Sequence, residues 1–267
     1  MQILVVANDK GGVGKTATST QFSYCLALLM KQRVLFLDLD HQRNSSKTIT
    51  KSGKAVVSNK TTLDILKDGA TTIEDGDFVL VPAHKDLQSL VDQGKTVHNA
   101  IASNLMKFLA AMADRFDVCV IDTNGAPDIR RTAALCCAQY VLSPIQLNQE
   151  AIDGIGDLRA NIQRIQRINP KLQLIGILPN MVEAKPFQKA NFEQIVKHFP
   201  QLLIMTEPGS QDFAHIPMRS IIPEAQAEGL PIWEIKKTAA RDAWRELAKY
   251  FTVIAARMEI KATMEVQ

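Results

Sequence analysis

A glycine-rich segment near the start of the chain carries the residue types that bind phosphate. Residues 9–16 read DKGGVGKT and lie between an apolar run and a helical pattern. Three glycines would let backbone N–H groups approach phosphate oxygens, and the start of a helix adds positive charge there. Lys15 would then hold the β- and γ-phosphates and Thr16 would ligate Mg²⁺, as the pattern GxxxxGK[ST] implies. Asp9 stands in place of the first glycine of that pattern.

Two acidic residues follow a second apolar run and could face the same phosphates. Asp38 and Asp40 come directly after the run that begins at residue 34. Carboxylates at positions i and i+2 beyond the end of a strand point to the same side, and ligands of open α/β sheets bind at that end. We therefore expect both to face the phosphates, although acidic residues at this position can also cap a turn or a helix.

The glycine-rich segment and the carboxylates need a rigid framework, and the rest of the sequence predicts one. Short, nearly continuous apolar runs are typical of strands covered on both faces. These runs lie at 3–7, 34–37, 78–81, 118–121, 140–142 and 174–178. Helical patterns separate them at about 16–31, 98–114, 150–168 and 187–198. The alternation predicts an α/β fold with a doubly wound, mainly parallel sheet flanked by helices, in a single domain over residues 1–267.

Two segments depart from this alternation. Residues 41–62 hold five basic and no acidic residues among serine, threonine, glycine and asparagine, which is typical of a mobile basic loop or of one with a short helix. From about residue 236 onward, apolar residues at helical spacing predict a terminal amphipathic helix and favour core packing over a membrane anchor. They are Trp244, Leu247, Phe251, Ile254 and Met258.

The composition is that of an ordinary globular protein. Of 267 residues, 46% are hydrophobic and 22% are charged, which excludes a disordered or collagen-like chain. The net charge of +3 does not by itself indicate a nucleic-acid-binding protein. The longest apolar run is far shorter than the ~20 residues that a bilayer span requires. Four cysteines lack the spacing of a metal site, so we expect a soluble, cytoplasmic chain with reduced thiols.

With Lys10 included, the glycine-rich segment resembles the deviant Walker A family of ATPases, whose signature is KGGxGK[ST]. ParA partition ATPases, MinD division-site ATPases and the nitrogenase iron protein are members. The resemblance implies a P-loop NTPase fold and a homodimer with ATP sandwiched between its subunits. It implies that Lys10 contacts phosphate across that dimer, although a lysine at a loop edge can also simply be solvated. The residues expected at the phosphates are Lys10, Gly11, Gly12, Val13, Gly14, Lys15, Thr16 and Ala17.

Two further segments match the same family. Residues 38–44, DLDHQRN, resemble the DxDxQxN box of ParA proteins. The resemblance implies that Asp40 positions the attacking water and that Asp38 helps to hold Mg²⁺. Asp122, at the end of the predicted strand 118–121, matches the Walker B carboxylate that binds Mg²⁺ through water. The expected catalytic residues are therefore Lys10, Lys15 and Asp40.

The match to the family is incomplete in two places. His41 and Arg43 stand where the family usually has proline and glycine. Residues 123–125 read TNG where the usual continuation is TPP. We therefore expect the first switch segment to differ in flexibility, and the segment after Asp122 to depart from the family without affecting the metal role of that carboxylate.

The base is expected to be adenine, because the chain lacks the NKxD box of guanine-specific GTPases. Family members use an asparagine against adenine at a position that Asn180 matches. Residues 216–225 resemble the ParA segment that flanks the base, which implies contacts from Pro217 and Met218. Surface loops bounded by proline would give the same local pattern.

Within the family, the sequence favours a ParA-type protein. The cluster-binding cysteines of the nitrogenase iron protein have no counterpart, since Cys136 and Cys137 lie in an apolar helical context. A MinD-type membrane helix needs basic residues beside exposed apolar ones, whereas residues 258–267 carry two acids and one base. No helix-turn-helix pattern precedes the ATPase segment, so we expect the short kind of ParA.

The resemblance implies an ATP-dependent switch that segregates plasmid or chromosomal DNA. Its ATP dimer would bind non-specific DNA in the nucleoid, and a ParB-type centromere-binding partner would stimulate an otherwise weak ATPase. No membrane partner is expected, but a ParA-like role in positioning non-DNA cargo and a MinD-like membrane role are alternatives. DNA contacts could come from residues 43–60 or from a second basic set, each member of which could equally be a solvated charge. That set is Arg219, Lys236, Lys237, Arg241 and Arg245.

Overall fold

One eight-stranded sheet organises the computed structural model, which describes residues 1–261. The strands are β1 (Gln2–Val6), β2 (Val34–Asp38), β3 (Val56–Val57), β4 (Phe78–Val81), β5 (Val118–Asp122), β6 (Tyr140–Ile145), β7 (Gln173–Val182) and β8 (Ile216–Pro217). They lie in the order β3-β4-β2-β5-β1-β6-β7-β8, and each neighbouring pair is parallel. The predicted α/β fold is confirmed. Part of the tail interpretation, at residues 262–267, lies outside the described residues.

Helices connect the strands and cover both faces of the sheet. They are α1 (Lys15–Tyr24), α2 (Asn44–Ser52), α3 (Thr62–Asp68), α4 (Lys95–Ala111), α5 (Ile129–Cys137), α6 (Gln149–Gln166), α7 (Pro186–His198), α8 (Ile221–Glu228) and α9 (Thr238–Arg257). A π-helical turn at Cys25–Leu29 continues α1. The cluster on one face draws residues from α1, α2, α8 and α9, and the cluster on the other face draws them from α3 to α6.

The central strands are buried on both sides because their alternate residues enter different clusters. In β1, Leu4 and Val6 belong to the cluster with α1 and α9, whereas Ile3 and Val5 belong to the opposite one. Side chains alternate across a strand, so a strand covered on both faces needs apolar residues throughout. This is the physical reason for the continuous apolar runs that predicted these strands.

The prediction of a mobile basic loop over residues 41–62 is wrong, although the short helix it allowed for is present. Helix α2 covers Asn44–Ser52, and Gly53 ends it in the left-handed conformation with φ +63°. The helix is anchored by buried residues, among them Ile49, which is fully buried. Its basic side chains are exposed. Their number made the segment resemble a loop in the sequence, although it contains an ordered helix.

The terminal helix α9 packs as the apolar spacing predicted. Its stripe, including Trp244 and Phe251, lies in the core cluster that covers α1. The rings of Phe22 and Phe251 have centroids 5.2 Å apart, and those of Trp233 and Trp244 are 4.4 Å apart. The interpretation of this stripe as core packing is confirmed. Within residues 1–261, no helix is both long enough and apolar enough to cross a membrane.

Candidate nucleotide-binding site

Three neighbouring strand ends bring the glycine-rich loop and two carboxylates together. In the parallel register, Val6 at the end of β1 is paired with Asp122 at the end of β5. Asp122 is paired in turn with Asp38 at the end of β2. The loop that leaves β1 therefore begins beside both carboxylates at one edge of the sheet, which is where ligands bind in open α/β folds.

The loop between β1 and α1 requires glycine at a defined position. Gly14 adopts φ +91°, and an added Cβ would lie 1.9 Å from Nδ2 of Asn180. That amide donates a hydrogen bond to the carbonyl of Val13 at 2.8 Å and so fixes β7 against the loop. At Gly11 and Gly12, by contrast, no atom lies within 4 Å of an added Cβ. The loop backbone is therefore open on this side, as close approach of a phosphate requires.

Lys15 lies inside this loop rather than on the surface. Its side chain is buried, and Nζ donates a hydrogen bond to the carbonyl of Lys10 at 2.7 Å across the loop. Burial lowers the pKa of the ammonium, and the carboxylates of Asp122 and Asp40 oppose that shift. The cation is held among loop backbone groups at the start of α1, so a bound phosphate would meet a lysine already in position.

Asp122 and Thr16 form a pair whose chemistry fits a magnesium ion. The Thr16 hydroxyl donates to Oδ2 of Asp122 at 2.9 Å, and Oδ1 of the same carboxylate is buried without a hydrogen-bond partner. Burial, followed by the nearby charge of Asp38, raises the pKa of Asp122 above its ordinary value. A divalent cation would give the unpartnered oxygen a ligand bond and would stabilise the ionised form of the buried carboxylate.

Asp38 orders the segment that follows β2. Its Oδ2 accepts hydrogen bonds from the backbone N–H and the hydroxyl of Ser46, at 2.9 and 2.6 Å, and its Oδ1 accepts from the backbone N–H of Asp40 at 2.9 Å. The carboxylate is fully buried, and burial raises its pKa. Asp38 therefore ties α2 to the strand end, and its direct role toward a metal stays a prediction.

Asp40 lies two residues beyond Asp38, at the rim of the same edge. Its Oδ1 accepts the backbone N–H of Gln42 at 3.0 Å, and Nδ1 of His41 lies 3.5 Å from the same oxygen. The side chain is 17% exposed, so it can reach water. Its charge acts on the Lys15 ammonium. The structure thus brings Asp40 to the phosphate loop with a fixed orientation and with access to solvent.

Lys10 turns away from the loop that contains it. Its carbonyl faces Lys15, whereas its own ammonium forms an ion pair with Glu150 of α6 at 2.7 Å. The lysine side chain is 35% exposed. A cation on the outer side of the loop can reach a second molecule more readily than the phosphates of its own loop, and its role across a dimer stays a prediction.

A cleft of about 560 Å³ continues the phosphate loop toward the ends of β7 and β8. Thr16 and Ala17 line it from α1, Asn180 lines it from β7, Pro217 lines it from β8 and Met218 lines it from the segment that follows. The residues expected at the base are therefore gathered in one cleft that adjoins the phosphate loop. Its volume lies within the usual range for a small-molecule site.

Comparison with known proteins identifies the family. A family model described as an AAA domain matches residues 1–174. Protein IncC of Escherichia coli is 33% identical over 264 residues, which cover 97% of this chain and 70% of that protein. The chromosome-partitioning ATPase Soj of Thermus thermophilus is 31% identical over 254 residues, which cover 92% of this chain and 93% of Soj. This chain belongs to the ParA family of ATPases.

The similarity to one solved structure with the ParA-like fold covers nearly the whole chain. A variant of McdA from Cyanothece, solved in complex with ATP, superposes with a TM-score of 0.76 at 20% identity and covers 99% of both chains. At that level of identity the likeness concerns the fold. It agrees with the parallel sheet and the helical layers described above.

Three of the five basic residues expected at DNA form a stripe along one helix of this ParA family member. Lys237, Arg241 and Arg245 recur every fourth residue along α9 and its start, and all three are exposed. Acidic neighbours partly neutralise the set. Ion pairs join Lys237 to Glu224 at 2.5 Å, Arg245 to Asp242 at 3.7 Å and Arg219 to Glu246 at 2.7 Å. Lys236 is exposed.

Sequence reasoning missed two groups of residues near the nucleotide cleft. Asn44, Lys47 and Lys51 of α2 line the cleft, and the spacing of the two lysines at i and i+4 was the available signal. The second group comprises the buried Arg130 and Arg131 at the start of α5. No local signal distinguishes Arg131 from a surface residue, because its partner Asp9 is 122 residues away, whereas Arg130 pairs with the nearby Asp128.

Proposed function

We propose that this ParA family member is an ATP- and Mg²⁺-dependent dimerising switch for DNA segregation. The observation that carries the proposal is the junction of Lys15, Thr16 and Asp122 at one sheet edge, beside a cleft large enough for a nucleoside. The partition ATPase Soj among the relatives supports the assignment to DNA segregation. The complex of a McdA variant with ATP supports the choice of nucleotide.

Each phosphate-site residue has a distinct task in this proposal. Lys15 and the loop N–H groups hold the phosphates, and the Thr16 hydroxyl and the unpartnered oxygen of Asp122 hold Mg²⁺, with Asp38 ordering the adjacent segment. The bound ion would neutralise charge that develops on the phosphate oxygens. Asp40 would accept a hydrogen bond from water and orient it toward the terminal phosphate.

The switch itself would consist of dimer formation around ATP. The outward ammonium of Lys10 would leave Glu150 and contact phosphate bound by the partner subunit. The closed dimer would then hold non-specific DNA, with the stripe on α9 as the candidate surface and the nucleoid as its location. Hydrolysis would be slow alone and stimulated by a ParB-type partner, after which the dimer opens and releases DNA.

Co-sedimentation tests the proposal directly. The protein would be mixed with non-specific DNA or with anionic liposomes, each in ADP and in a slowly hydrolysed ATP analogue with Mg²⁺. We expect sedimentation with DNA only in the ATP analogue, and none with liposomes. Lys15→Ala is the control, because it removes the phosphate cation and should abolish the DNA signal. Liposome binding without DNA binding would replace the proposal with a MinD-like membrane role.

A further inference from the structure

Two unusual features of the sequence, far apart along the chain, meet in the structure. Asp9 stands where the phosphate-loop pattern has glycine, and the unusual TNG at residues 123–125 opens the loop that leads into α5. The carboxylate of Asp9 forms an ion pair with the guanidinium of Arg131, in the first turn of α5. An ion pair thus joins the phosphate loop to α5.

The two partners differ in exposure to solvent, so the loss of either one would have a different effect on the other. The side chain of Arg131 is 4% exposed, whereas that of Asp9 is 46% exposed. A buried guanidinium needs a counter-charge, because it has given up its hydration. Asp9 retains water, so loss of Arg131 would leave a solvated carboxylate, whereas loss of Asp9 would leave the buried guanidinium without its counter-charge. The charge of Asp9 is nevertheless balanced within the molecule by Arg131.

The pair lies close to the cation of the phosphate site. The charges of Asp9 and Arg131 act on the pKa of Lys15 in opposite directions, so both groups lie within electrostatic range of that ammonium. Gly125, between β5 and α5, packs on the loop as well, since an added Cβ would lie 2.9 Å from the backbone nitrogen of Gly11. An unpaired carboxylate at residue 9 would therefore act electrostatically on a polyphosphate bound at Lys15.

We infer that Arg131 is a positioning residue for polyphosphate: it neutralises Asp9, so that the phosphate loop presents net positive charge. The inference rests on the proposed binding of ATP. Without Arg131, the carboxylate of Asp9 would repel each phosphate of the nucleotide, and the repulsion would grow with the number of phosphates. Adenosine carries no phosphate, so its binding should be insensitive to the pair.

A double-mutant cycle tests this inference by calorimetric titration with a slowly hydrolysed ATP analogue and Mg²⁺. Arg131→Gln should weaken binding about tenfold, because it leaves Asp9 unpaired in the phosphate loop. Asp9→Asn should tighten binding by about threefold, because it removes a negative charge from the site. The variant that combines both should return to within about threefold of the unmodified protein.

Two further measurements separate this role from a purely structural one. The loss in Arg131→Gln should be greater for the ATP analogue than for ADP, absent for adenosine, and smaller at high salt. Arg33→Gln is the matched control, because Arg33 pairs with Asp117 at the opposite, amino end of the strands and should leave affinity unchanged.

Each outcome bears on a different claim. If the combined variant keeps the full loss of Arg131→Gln, then Arg131 contacts phosphate itself and the inference is overturned. Should Arg131→Gln not fold, Asp9→Asn decides alone, and unchanged or weaker affinity would overturn the inference. Failure of the unmodified protein to bind the ATP analogue would instead reject the proposed function, and the inference with it.

Discussion

The contact between Gly125 and the phosphate loop supports a quantitative prediction for Gly125→Ala. An added Cβ would lie 2.9 Å from the nitrogen of Gly11, 3.0 Å from its Cα and 3.1 Å from the carbonyl carbon of Lys10. All three are backbone atoms, so no flexible side chain can move aside. Carbon atoms pack best at about 3.5–4.0 Å, so the loop after β5 and the phosphate loop must separate by roughly half an ångström or more.

That separation should affect both stability and nucleotide binding. Overpacking of this kind costs about 1–3 kcal/mol. A protein of this size loses about 2–4 °C in Tm per kcal/mol, so we expect Gly125→Ala to unfold about 2–12 °C lower. Each kcal/mol of strain that a bound phosphate must work against should also weaken ATP affinity about fivefold.

Thermal unfolding by circular dichroism and titration with a slowly hydrolysed ATP analogue would measure the two effects. Gly156→Ala is the matched control, because Gly156 lies in α6 with no atom within 4 Å of an added Cβ. That change should raise stability by about 0.5–1 kcal/mol, as alanine does in a helix. A Gly125→Ala protein with unchanged Tm and unchanged affinity would show that the two loops do not press on each other in solution.

Three other variants test the remaining parts of the site and the core. Lys10→Ala should abolish ATP-induced dimers in light scattering while some binding of ATP to the monomer persists, and dimers formed by this variant would refute the role across the interface. Asp40→Ala should trap a stable ATP dimer because no group orients the water, and rapid phosphate release would contradict that role. Trp244→Ala should lower the free energy of unfolding in urea by about 3–5 kcal/mol, whereas a loss below about 1 kcal/mol would refute its core placement.

The central strands and the edge that carries the candidate site were predictable because their signals are local. Strands β2 and β5 are uninterrupted apolar runs, and the residues that end them, Asp38 and Asp122, are their first polar groups at the edge. Parallel pairing then aligns strand ends whatever their order in the chain. The strand ends thus located both carboxylates before the order of the strands was known.

Helix α2 was predicted only as a possible short helix within a basic loop, because its buried positions are largely polar. Ser45, Ser46 and Thr48 are buried, and a hydrophobic periodicity cannot be read from them. Ser46 is tolerated there because its hydroxyl and backbone N–H both donate to Asp38. The partner that stabilises the helix is therefore a carboxylate at the end of β2, and the sequence of the helix alone does not reveal that partner.

The pair of Asp9 and Arg131 could not be predicted for the same reason: each residue is stabilised by a partner that is distant in the sequence. A carboxylate in a phosphate loop is unfavourable when the loop is considered by itself, and a buried arginine in α5 is unfavourable when that helix is considered by itself. Each becomes acceptable only through the other, across 122 residues of sequence. Two residues that would each be unfavourable alone can therefore compensate in space. The relevant test of such a site is the paired substitution, because single changes report only the loss of compensation.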